Sequence, residues 1–310
     1  MSTQNSPMVS IDNFRMDLGQ SRIINNLSFE VYEGETFGFL GSNGSGKTTT
    51  LRALLGIYKP TAGSLCIKKK PYHPSMGHLL GYLPEERGLY KKETVLDTMV
   101  FFGQLKQMSS AKARKWSLNY LERVDLLDKA NTRIDRLSGG QQQKIQLGVT
   151  IINDPQLLIL DEPTKGLDPI NRRLLMEIIE ERSKANATVI LVTHQMEEVE
   201  RLCERIVLLK DGNRRLYDTV DNIRNQYSSN IIELEFDGNI IVNDFLFQTS
   251  SLTHNFATLI PNKDVATSSI IKYLSNQNGL NIYRFEVMKA SLEDIFIDIY
   301  KDDQKENISI

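Results

Sequence analysis

Residues 33–49 read Glu-Gly-Glu-Thr-Phe-Gly-Phe-Leu-Gly-Ser-Asn-Gly-Ser-Gly-Lys-Thr-Thr. A turn leads into a short apolar strand, which is followed by a glycine-rich loop and the start of a helix. Within this order Gly41, Gly46, Lys47 and Thr48 complete the pattern G-x-x-x-x-G-K-[ST]. Small residues at these positions let backbone N–H groups wrap a polyphosphate, so the stretch predicts a phosphate-binding loop, or P-loop.

The residues that close this loop add charge complementarity. Lys47 supplies a point charge for the β- and γ-phosphates, and the Thr48 hydroxyl can ligate Mg²⁺. The helix that begins near Lys47 directs its positive dipole end to the same place. A flexible loop without a ligand is the alternative, and the pattern alone leaves kinases, GTPases and many ATPases open. The candidate nucleotide-binding residues of the loop are Gly41, Ser42, Asn43, Gly44, Ser45, Gly46, Lys47, Thr48 and Thr49.

A second motif, Leu-Ser-Gly-Gly-Gln at residues 137–141, narrows this choice. Ser138 offers a hydroxyl, and Gly139 and Gly140 expose bare amides. The helix that starts with Gln141 would direct its dipole at a phosphate. With this motif the chain resembles the ATP-binding-cassette (ABC) ATPases, in which the signature of one subunit faces the P-loop of another across two ATP molecules. The resemblance makes Ser138, Gly139, Gly140 and Gln141 nucleotide contacts. A helix N-cap without a ligand is the alternative.

Residues 156–163, Gln-Leu-Leu-Ile-Leu-Asp-Glu-Pro, predict a strand buried on both faces that ends in two carboxylates. Open α/β sheets bind ligands at that end of their strands. By resemblance to the family, Asp161 would hold Mg²⁺ through its water shell, and Glu162 would orient and deprotonate the attacking water. An Asp-Glu pair in a solvated turn is the alternative.

Two further segments extend the resemblance. Gly166-Leu167-Asp168 is similar to the D-loop of the family, which bridges the two nucleotide sites of the dimer. Residues 187–193 predict another apolar strand, and His194 follows it where the family carries a histidine on the γ-phosphate. The resemblance therefore makes His194 a catalytic residue and Asp168 a nucleotide contact, although a lone histidine at a strand end is usually structural.

Three positions depart from the commonest pattern of the family. Leu18 stands where an aromatic residue usually stacks on adenine, so selectivity for the base is expected to be loose. Glu85 occupies the place of a glutamine that usually touches Mg²⁺, and a carboxylate can also ligate that ion. Lys165 replaces the usual serine before the D-loop. The glutamate variant resembles the ATPases of bacterial sodium-efflux and drug-efflux exporters of the ABC-2 class.

Between the two nucleotide motifs, apolar residues recur at near-helical spacing from Thr94 to Arg136. This segment resembles the helical subdomain of the family, with bounds near residues 91–136. In the family, a groove beside this subdomain receives a short helix of the membrane partner. Tyr90, Phe101 and Phe102 are candidates to line such a groove, and packing within the core is the alternative for each.

The resemblance to a cassette ends near residue 220, and about ninety residues follow. Residues 231–236 and 282–287 alternate as half-exposed strands do, and Ser291-Leu-Glu-Asp294 resembles a capping box that opens a last helix. The phrase at residues 290–296 resembles the accessory domain of the same exporter ATPases. We expect an ATP-binding domain over residues 1–220 and an accessory domain over residues 221–310, of which residues 302–310 form a loose tail. The accessory domain would serve dimer support or regulation, with ligand sensing as the alternative.

The expected fold is therefore an α/β P-loop fold of the ABC type. It would contain a mixed sheet core, an antiparallel β subdomain, a helical subdomain and the small C-terminal α+β domain. The resemblance implies ATP and Mg²⁺ as cofactors, and the predicted loop and carboxylates suit a magnesium nucleotide.

Composition sets outer bounds on this interpretation. The 310 residues are 40% hydrophobic and 25% charged, and the formal net charge of −2 gives no reason to expect nucleic acid as a partner. No apolar run reaches the ~20 residues of a membrane-spanning helix, and the first eight residues lack a secretory signal. The expected location is the cytoplasm, with attachment to the inner face of the membrane through a partner. Cys66 and Cys203 fit neither a zinc site nor a disulfide framework.

These expectations combine into one function. The chain would dimerise on MgATP, with itself or a homologous subunit, hydrolyse it, and drive a separate ABC-2 permease in the membrane, for export. A soluble ABC protein that acts on ribosomes or DNA is one alternative, but such proteins usually carry tandem cassettes or a long coiled-coil insertion, and this sequence shows neither. A subunit that serves import or regulation shares every motif and stays open.

Overall fold

The structure is a computed structural model that describes residues 6–86, 88–227, 231–262, 265–288, 291–293, 295–297 and 299. The chain divides into two compact units, Met1–Thr219 and Val220–Ile310. The expected capping box at Ser291 includes Asp294, which lies outside the described residues, as does the expected loose tail at residues 302–310.

Strands and helices alternate through the first unit, and strands dominate the second. The strands are β1 (Pro7–Leu18), β2 (Ser21–Tyr32), β3 (Thr36–Gly41), β4 (Ala62–Ile67), β5 (Leu80–Leu83), β6 (Leu157–Asp161), β7 (Thr188–Val192), β8 (Arg205–Lys210), β9 (Asn213–Thr219), β10 (Ile231–Asp237), β11 (Phe247–Leu252), β12 (Phe256–Pro261) and β13 (Asn281–Met288). The α-helices are α1 (Lys47–Leu54), α2 (Val95–Leu105), α3 (Ser110–Arg123), α4 (Gly139–Ile151), α5 (Pro169–Lys184), α6 (Met196–Leu202), α7 (Val220–Tyr227) and α8 (Thr267–Ser275). Short 3₁₀ turns cover Pro74–His78, Leu127–Lys129 and Ile134–Arg136.

A six-stranded sheet with the order β5-β6-β7-β3-β8-β9 forms the centre of the first unit. Its strands are parallel except for the edge strand β9, which runs antiparallel to β8. Every residue of β6 and β7 is buried, as expected for strands covered on both faces. Because β6, β7 and β3 are neighbours, the loops that leave their carboxyl ends meet at one edge of the sheet.

A smaller antiparallel sheet, with the order β2-β1-β4, packs on this centre. Its apolar face shares one hydrophobic core with the central strands. Phe29 of β2 stacks on Phe37 of β3 with ring centroids 5.5 Å apart, and it also contacts Phe39. Burial of several aromatic rings in one place contributes on the order of 2 kcal/mol each, so the two sheets form one folding unit.

Helices α2 and α3 lie within the predicted helical segment of residues 91–136. Their N-caps are Thr94 and Ser109, whose hydroxyl oxygens accept hydrogen bonds from backbone amides in the first turn. After α2, Lys106 turns back toward the central sheet, and its ammonium group donates to the carbonyl oxygen of Leu80 in β5. Burial lowers the pKa of Lys106 to about 8.

The second unit contains a four-stranded antiparallel sheet with the order β11-β12-β10-β13. One face buries Leu234, Phe236 and Leu259 together with Ile270 and Leu274 of α8. The strands β10 and β13 include the two alternating segments expected from the sequence. This arrangement is the small α+β fold, and together with the central sheet it confirms the expected fold class.

Within the described parts of both units, no helix combines the length and the apolar character needed to cross a bilayer.

The buried position of Lys106 predicts a pH-dependent stability. Folding lowers the pKa of this residue from 10.5 to about 8, so the folded state loses the proton first as the pH rises. Between pH 8 and pH 10.5 the unfolded state binds more protons, and the free energy of unfolding increases with pH. Relative to a Lys106→Met variant, the parent protein should gain up to about 3 kcal/mol between pH 7 and pH 10.

Urea unfolding of both proteins across this pH range measures the difference. Lys112→Met, at an exposed position of α3, is the matched control and should show no pH-dependent difference. A difference between parent and Lys106→Met that stays constant from pH 7 to pH 10 would show that the ammonium group is not desolvated.

Candidate nucleotide-binding site

The glycine-rich loop between β3 and α1 has the backbone of a phosphate-binding loop. Gly46 is the N-cap of α1 and has a left-handed φ of 105°. A Cβ atom at Gly46 would lie 2.3 Å from Cδ1 of Ile24, and a Cβ atom at Gly41 would lie 2.3 Å from the carbonyl oxygen of Leu209. Both positions therefore require glycine.

Lys47 is positioned by the loop itself. Its Nζ donates to the carbonyl oxygens of Gly41 at 2.7 Å and Ser42 at 3.0 Å. Desolvation by burial lowers the pKa of Lys47, whereas the charges of Glu162, Asp161 and Glu85 act in the opposite direction. The ammonium group is thus held in the centre of the loop, where an oxygen of a bound phosphate would accept its hydrogen bond.

A turn between β8 and β9 forms a backbone hydrogen bond with the P-loop. The N–H of Gly212 donates to the carbonyl oxygen of Ser45 at 3.2 Å, and the carbonyl oxygen of Gly212 accepts from the N–H of Asn25 at 2.9 Å. A Cβ atom at Gly212 would lie 2.2 Å from the carbonyl oxygen of Ile23. The sequence pattern Asp-Gly marks a turn, but its contact with the P-loop depends on the pairing of distant strands.

The two carboxylates follow β6 at the same edge of the sheet. Asp161 is the last residue of that strand and is almost fully buried. Glu162 has a left-handed φ of 51°, and its N–H donates to the carbonyl oxygen of Val192 at 2.8 Å. A left-handed backbone at a non-glycine residue costs on the order of 1–2 kcal/mol. The hydrogen bond to the end of β7 maintains this geometry, which turns Glu162 toward His194.

His194 contacts Glu162 directly. Its Nδ1 lies 2.8 Å from Oε1 of Glu162, and the histidine side chain is 64% exposed whereas the glutamate side chain is 10% exposed. Strands β6 and β7 are neighbours, so the two side chains meet at the adjacent carboxyl ends. The structure thus brings together the two residues expected to be catalytic.

A buried carboxylate that the sequence reasoning missed ties these two loops together. Glu198 of α6 accepts hydrogen bonds from the hydroxyl of Thr193 at 2.8 Å and from the hydroxyl of Thr164. Desolvation raises the pKa of Glu198, and the two hydroxyl donors oppose that rise. A glutamate in the first turn of a short helix reads as a surface residue in sequence, so no sequence pattern identified this role.

A cavity of about 490 Å³ lies at the carboxyl edge of the central sheet. The cavity is lined by Ile23, Asn43, Gly44, Gly46, Lys47, Thr48, Thr49, Glu85, Asp161, Glu162, Lys165 and His194. The carbonyl oxygens of Gly41 and Ser42 contact the Lys47 ammonium group.

The donor set of the cavity fits a magnesium nucleotide. Among the described residues that line the cavity, Asp161 Oδ2 and Glu162 Oε2 are buried oxygens with no hydrogen-bond partner in the protein. Burial raises the pKa of Asp161 to about 6, and the neighbouring charges of Glu85 and Glu162 add to that effect. A cation beside Asp161 would reverse it. No group of three or more His, Cys, Asp or Glu side chains forms a metal cluster in the described part of the chain; a magnesium ion of a nucleotide needs only one or two protein ligands besides phosphate.

Glu85 lies in the loop after β5 and forms an ion pair with Lys165. The distance from Lys165 Nζ to Glu85 Oε1 is 2.5 Å. The loop is held by Gln146 of α4, whose side-chain amide donates to the carbonyl oxygens of Pro84 and Glu86 at 3.0 and 3.2 Å. Gln146 is a residue that the sequence analysis missed, because a glutamine on a helix gives no sign of which distant loop it contacts.

The signature residues lie apart from this cavity. Ser138 is the N-cap of α4 and forms a capping box with Gln141, whose backbone N–H donates to the serine hydroxyl at 3.3 Å and whose side chain accepts from the serine N–H at 2.9 Å. Gly139 and Gly140 form the first turn of the helix. The motif is therefore a structured helix N-terminus, and its four residues do not line the P-loop cavity of the same chain.

Asp168 and Leu18 also lie outside the cavity lining. The Asp168 carboxylate caps α5 and accepts from the backbone N–H groups of Ile170 and Asn171 at 3.1 and 3.0 Å. Leu18 ends β1 and is 42% exposed. On the side of the hairpin formed by β1 and β2, the residue that lines the cavity is Ile23. The expected contact of Leu18 with adenine is therefore not part of the cavity as the structure presents it.

Two protein-family models match the chain. The model described as "ABC transporter" matches residues 24–165, and the model described as "ATP-binding protein DrrA1-3-like, C-terminal domain" matches residues 219–300. The first match spans the P-loop, the signature and the two carboxylates.

Curated relatives extend over almost the whole chain. An uncharacterized ABC transporter ATP-binding protein of Methanocaldococcus jannaschii is 37% identical over 94% of this chain and 99% of its own length. A Nod factor export ATP-binding protein I of Paraburkholderia xenovorans is 32% identical over 93% of this chain and 95% of its own length. The linearmycin resistance ATP-binding protein LnrL of Bacillus subtilis is 29% identical over 94% of this chain and 98% of its own length.

A solved structure described as the ATP-binding subunit of an ABC transporter superposes with a TM-score of 0.66. It is 26% identical in sequence and covers 71% of this chain and 93% of its own. Sequence motifs, central fold and full-length relatives agree, and the chain belongs to the ABC transporter ATP-binding proteins, the ATP-binding ATPase subunits that drive transport.

Proposed function

We propose that this chain hydrolyses MgATP in a head-to-tail dimer and thereby drives a separate ABC-2 permease that exports its substrate. The observation that carries the hydrolytic part is the contact between Glu162 and His194 beside Lys47, in one cavity at the carboxyl edge of the sheet. The direction of transport is supported by two relatives, a Nod factor export ATP-binding protein and a linearmycin resistance ATP-binding protein.

In this proposal the loop amides and Lys47 bind the β- and γ-phosphates. Thr48, Asp161 and Glu85 would hold the magnesium ion, which neutralises phosphate charge when it is bound. The partnerless Oδ2 of Asp161 supports this role.

Glu162 would orient the attacking water and accept its proton. Its Oε1 is occupied by His194, whereas its buried Oε2 has no protein partner among the described residues. The second oxygen is therefore the one without a protein hydrogen bond, and the first fixes the carboxylate in place. His194 is exposed enough to reach a γ-phosphate with its other ring nitrogen.

The proposed dimer follows from the separation of the signature from the P-loop. Ser138, Gly139, Gly140 and Gln141 form a helix N-terminus whose dipole and amides suit a phosphate. They do not line the cavity of their own chain. A second subunit, identical or homologous, would supply the phosphate, and Asp168 would lie in the loop between the two sites.

A cluster of three aromatic rings is the proposed contact with the permease. Tyr90, Phe101 and Phe102 pack with ring centroids 5.6 to 6.0 Å apart, and Tyr90 and Phe101 are about half exposed. Exposed aromatic clusters of this kind mark protein interfaces. Attachment through such a contact would place the chain peripherally on the cytoplasmic face of the membrane. The domain at residues 221–310 would support the dimer or regulate it.

A Glu162→Gln variant tests the hydrolytic mechanism. It should bind ATP and accumulate as a dimer, while steady-state ATP turnover falls at least about a hundredfold, because the general base is lost and the shape of the site is kept. Phosphate release and size-exclusion chromatography with ATP measure the two effects. Glu177→Gln, on the exposed face of α5, is the control and should hydrolyse normally. Near-normal turnover in Glu162→Gln would remove Glu162 from this role.

The absence of an aromatic residue at position 18 predicts loose base selectivity. GTP should compete with ATP for the site within roughly threefold, and Leu18→Tyr should tighten ATP binding by roughly fivefold, because base stacking on an aromatic ring is worth about 1 kcal/mol or more. Competition of ATP and GTP for a fluorescent ATP analogue measures both. Strong discrimination against GTP by the parent protein would show that another residue stacks on adenine.

A further inference from the structure

We propose that Lys165 is a second phosphate-directed cation of the nucleotide site, and that its charge allows a glutamate to occupy position 85 beside Asp161 and Glu162. The inference rests on the proposed function, since it concerns the same MgATP. It assigns to Lys165 a binding role that the P-loop pattern and the signature do not predict.

The geometry places Lys165 in the site. Its Nζ lies 2.5 Å from Oε1 of Glu85, and both side chains line the cavity that contains Lys47. The two residues are 80 positions apart in the sequence, so only the fold brings them together. Both side chains are about half exposed to solvent, at the open side of the cavity.

Each partner of the pair is attached to a fixed loop. Gln146 binds the backbone on both sides of Glu85, at Pro84 and Glu86. The N–H of Lys165 donates to the carbonyl oxygen of Glu162 at 3.2 Å. The turn that contains Lys165 is therefore built directly on the residue expected to be the catalytic base. This anchoring distinguishes the pair from two mobile surface side chains that meet by chance.

Stability does not account for the pair. Ion pairs between exposed side chains contribute little to the free energy of unfolding, because water screens their attraction and their side chains lose entropy. The electrostatic surroundings point to the ligand instead. Lys47 and Lys165 each interact with the same three carboxylates, Glu85, Asp161 and Glu162.

Charge balance gives the physical reason. Three carboxylates and two ammonium groups line the cavity, so with neutral His194 its net charge is −1. Without Lys165 the value would be −2. MgATP is itself an anion, and an additional uncompensated carboxylate would repel it at short range. A glutamine at position 85 needs no such compensation, whereas a glutamate does.

Lys165 also retains donors for a phosphate. An ammonium group has three N–H donors, and the contacts of the described residues engage one of them, with Glu85. Lys165 can therefore hold Glu85 and a phosphate oxygen together.

Equilibrium binding of a non-hydrolysable nucleotide tests the proposal without reference to turnover. The probe is adenylyl imidodiphosphate with Mg²⁺, titrated into the full-length chain and its variants. Lys165→Ser should weaken binding about tenfold, and Lys165→Arg should stay within about threefold of the parent protein, because the charge is kept. The double variant Lys165→Ser with Glu85→Gln should recover most of the loss, since both charges are removed together.

Two further variants separate the possible failures. Lys184→Ser breaks an exposed ion pair of α5 far from the cavity lining and should bind like the parent protein. Lys47→Ala should abolish binding. If Lys47→Ala loses binding but Lys165→Ser does not, the inference is wrong and the proposed function stands. If the double variant binds as weakly as Lys165→Ser, charge compensation is wrong. If Lys47→Ala binds normally, the nucleotide site itself is misassigned. Unchanged thermal unfolding of each variant confirms that it is folded.

Discussion

The active-site loops of this protein depend on hydrogen bonds from buried amide side chains of α4. Gln143 donates to the carbonyl oxygen of Pro163, directly after Asp161 and Glu162, at 2.8 Å. Gln146, one turn further along the same helix, donates to the loop that contains Glu85. A buried carbonyl without a donor costs about 1–3 kcal/mol, so these contacts are strongly constrained. Both loops thus take their positions from one helix.

The same helix begins at the signature, so one helix both carries this motif and holds the two loops. Ser138 and Gln141 form the cap at its N-terminus, while Gln143 and Gln146 face the interior a turn later. Lys144 extends the polar contacts to the helical segment, where its Nζ donates to the carbonyl oxygen of Val124 at 3.0 Å. A nucleotide that contacts the N-terminus of α4 in a dimer would therefore act on a rigid body that already supports the other active-site loops.

The parallel strands of this protein place several charged side chains close together at their carboxyl ends, and this arrangement costs electrostatic free energy. The carboxyl ends of β3, β6 and β7 bring Lys47, Asp161 and Glu162 together, and burial opposes the ionised form of each side chain whose pKa is shifted. The left-handed backbone of Glu162 adds conformational strain at the same point. A magnesium nucleotide that contacts the unpartnered oxygens would lower the free energy of such a site.

The sequence by itself determined the features that depend on local order. The P-loop needs its glycines, lysine and threonine in one short stretch, and the buried strands before Glu162 and His194 are continuous apolar runs, so the ABC fold and the position of Glu162 and His194 at one edge of the sheet could be predicted without coordinates. Tertiary structure alone decided the contacts between residues distant in the chain. Glu85 was expected to face magnesium and is found paired with Lys165, and Leu18 lies outside the cavity that Ile23 lines. The long-range contacts of Gln146, Glu198 and Gly212 gave no signal in sequence, because which distant loop a residue meets follows from strand order and helix packing and not from its neighbours along the chain.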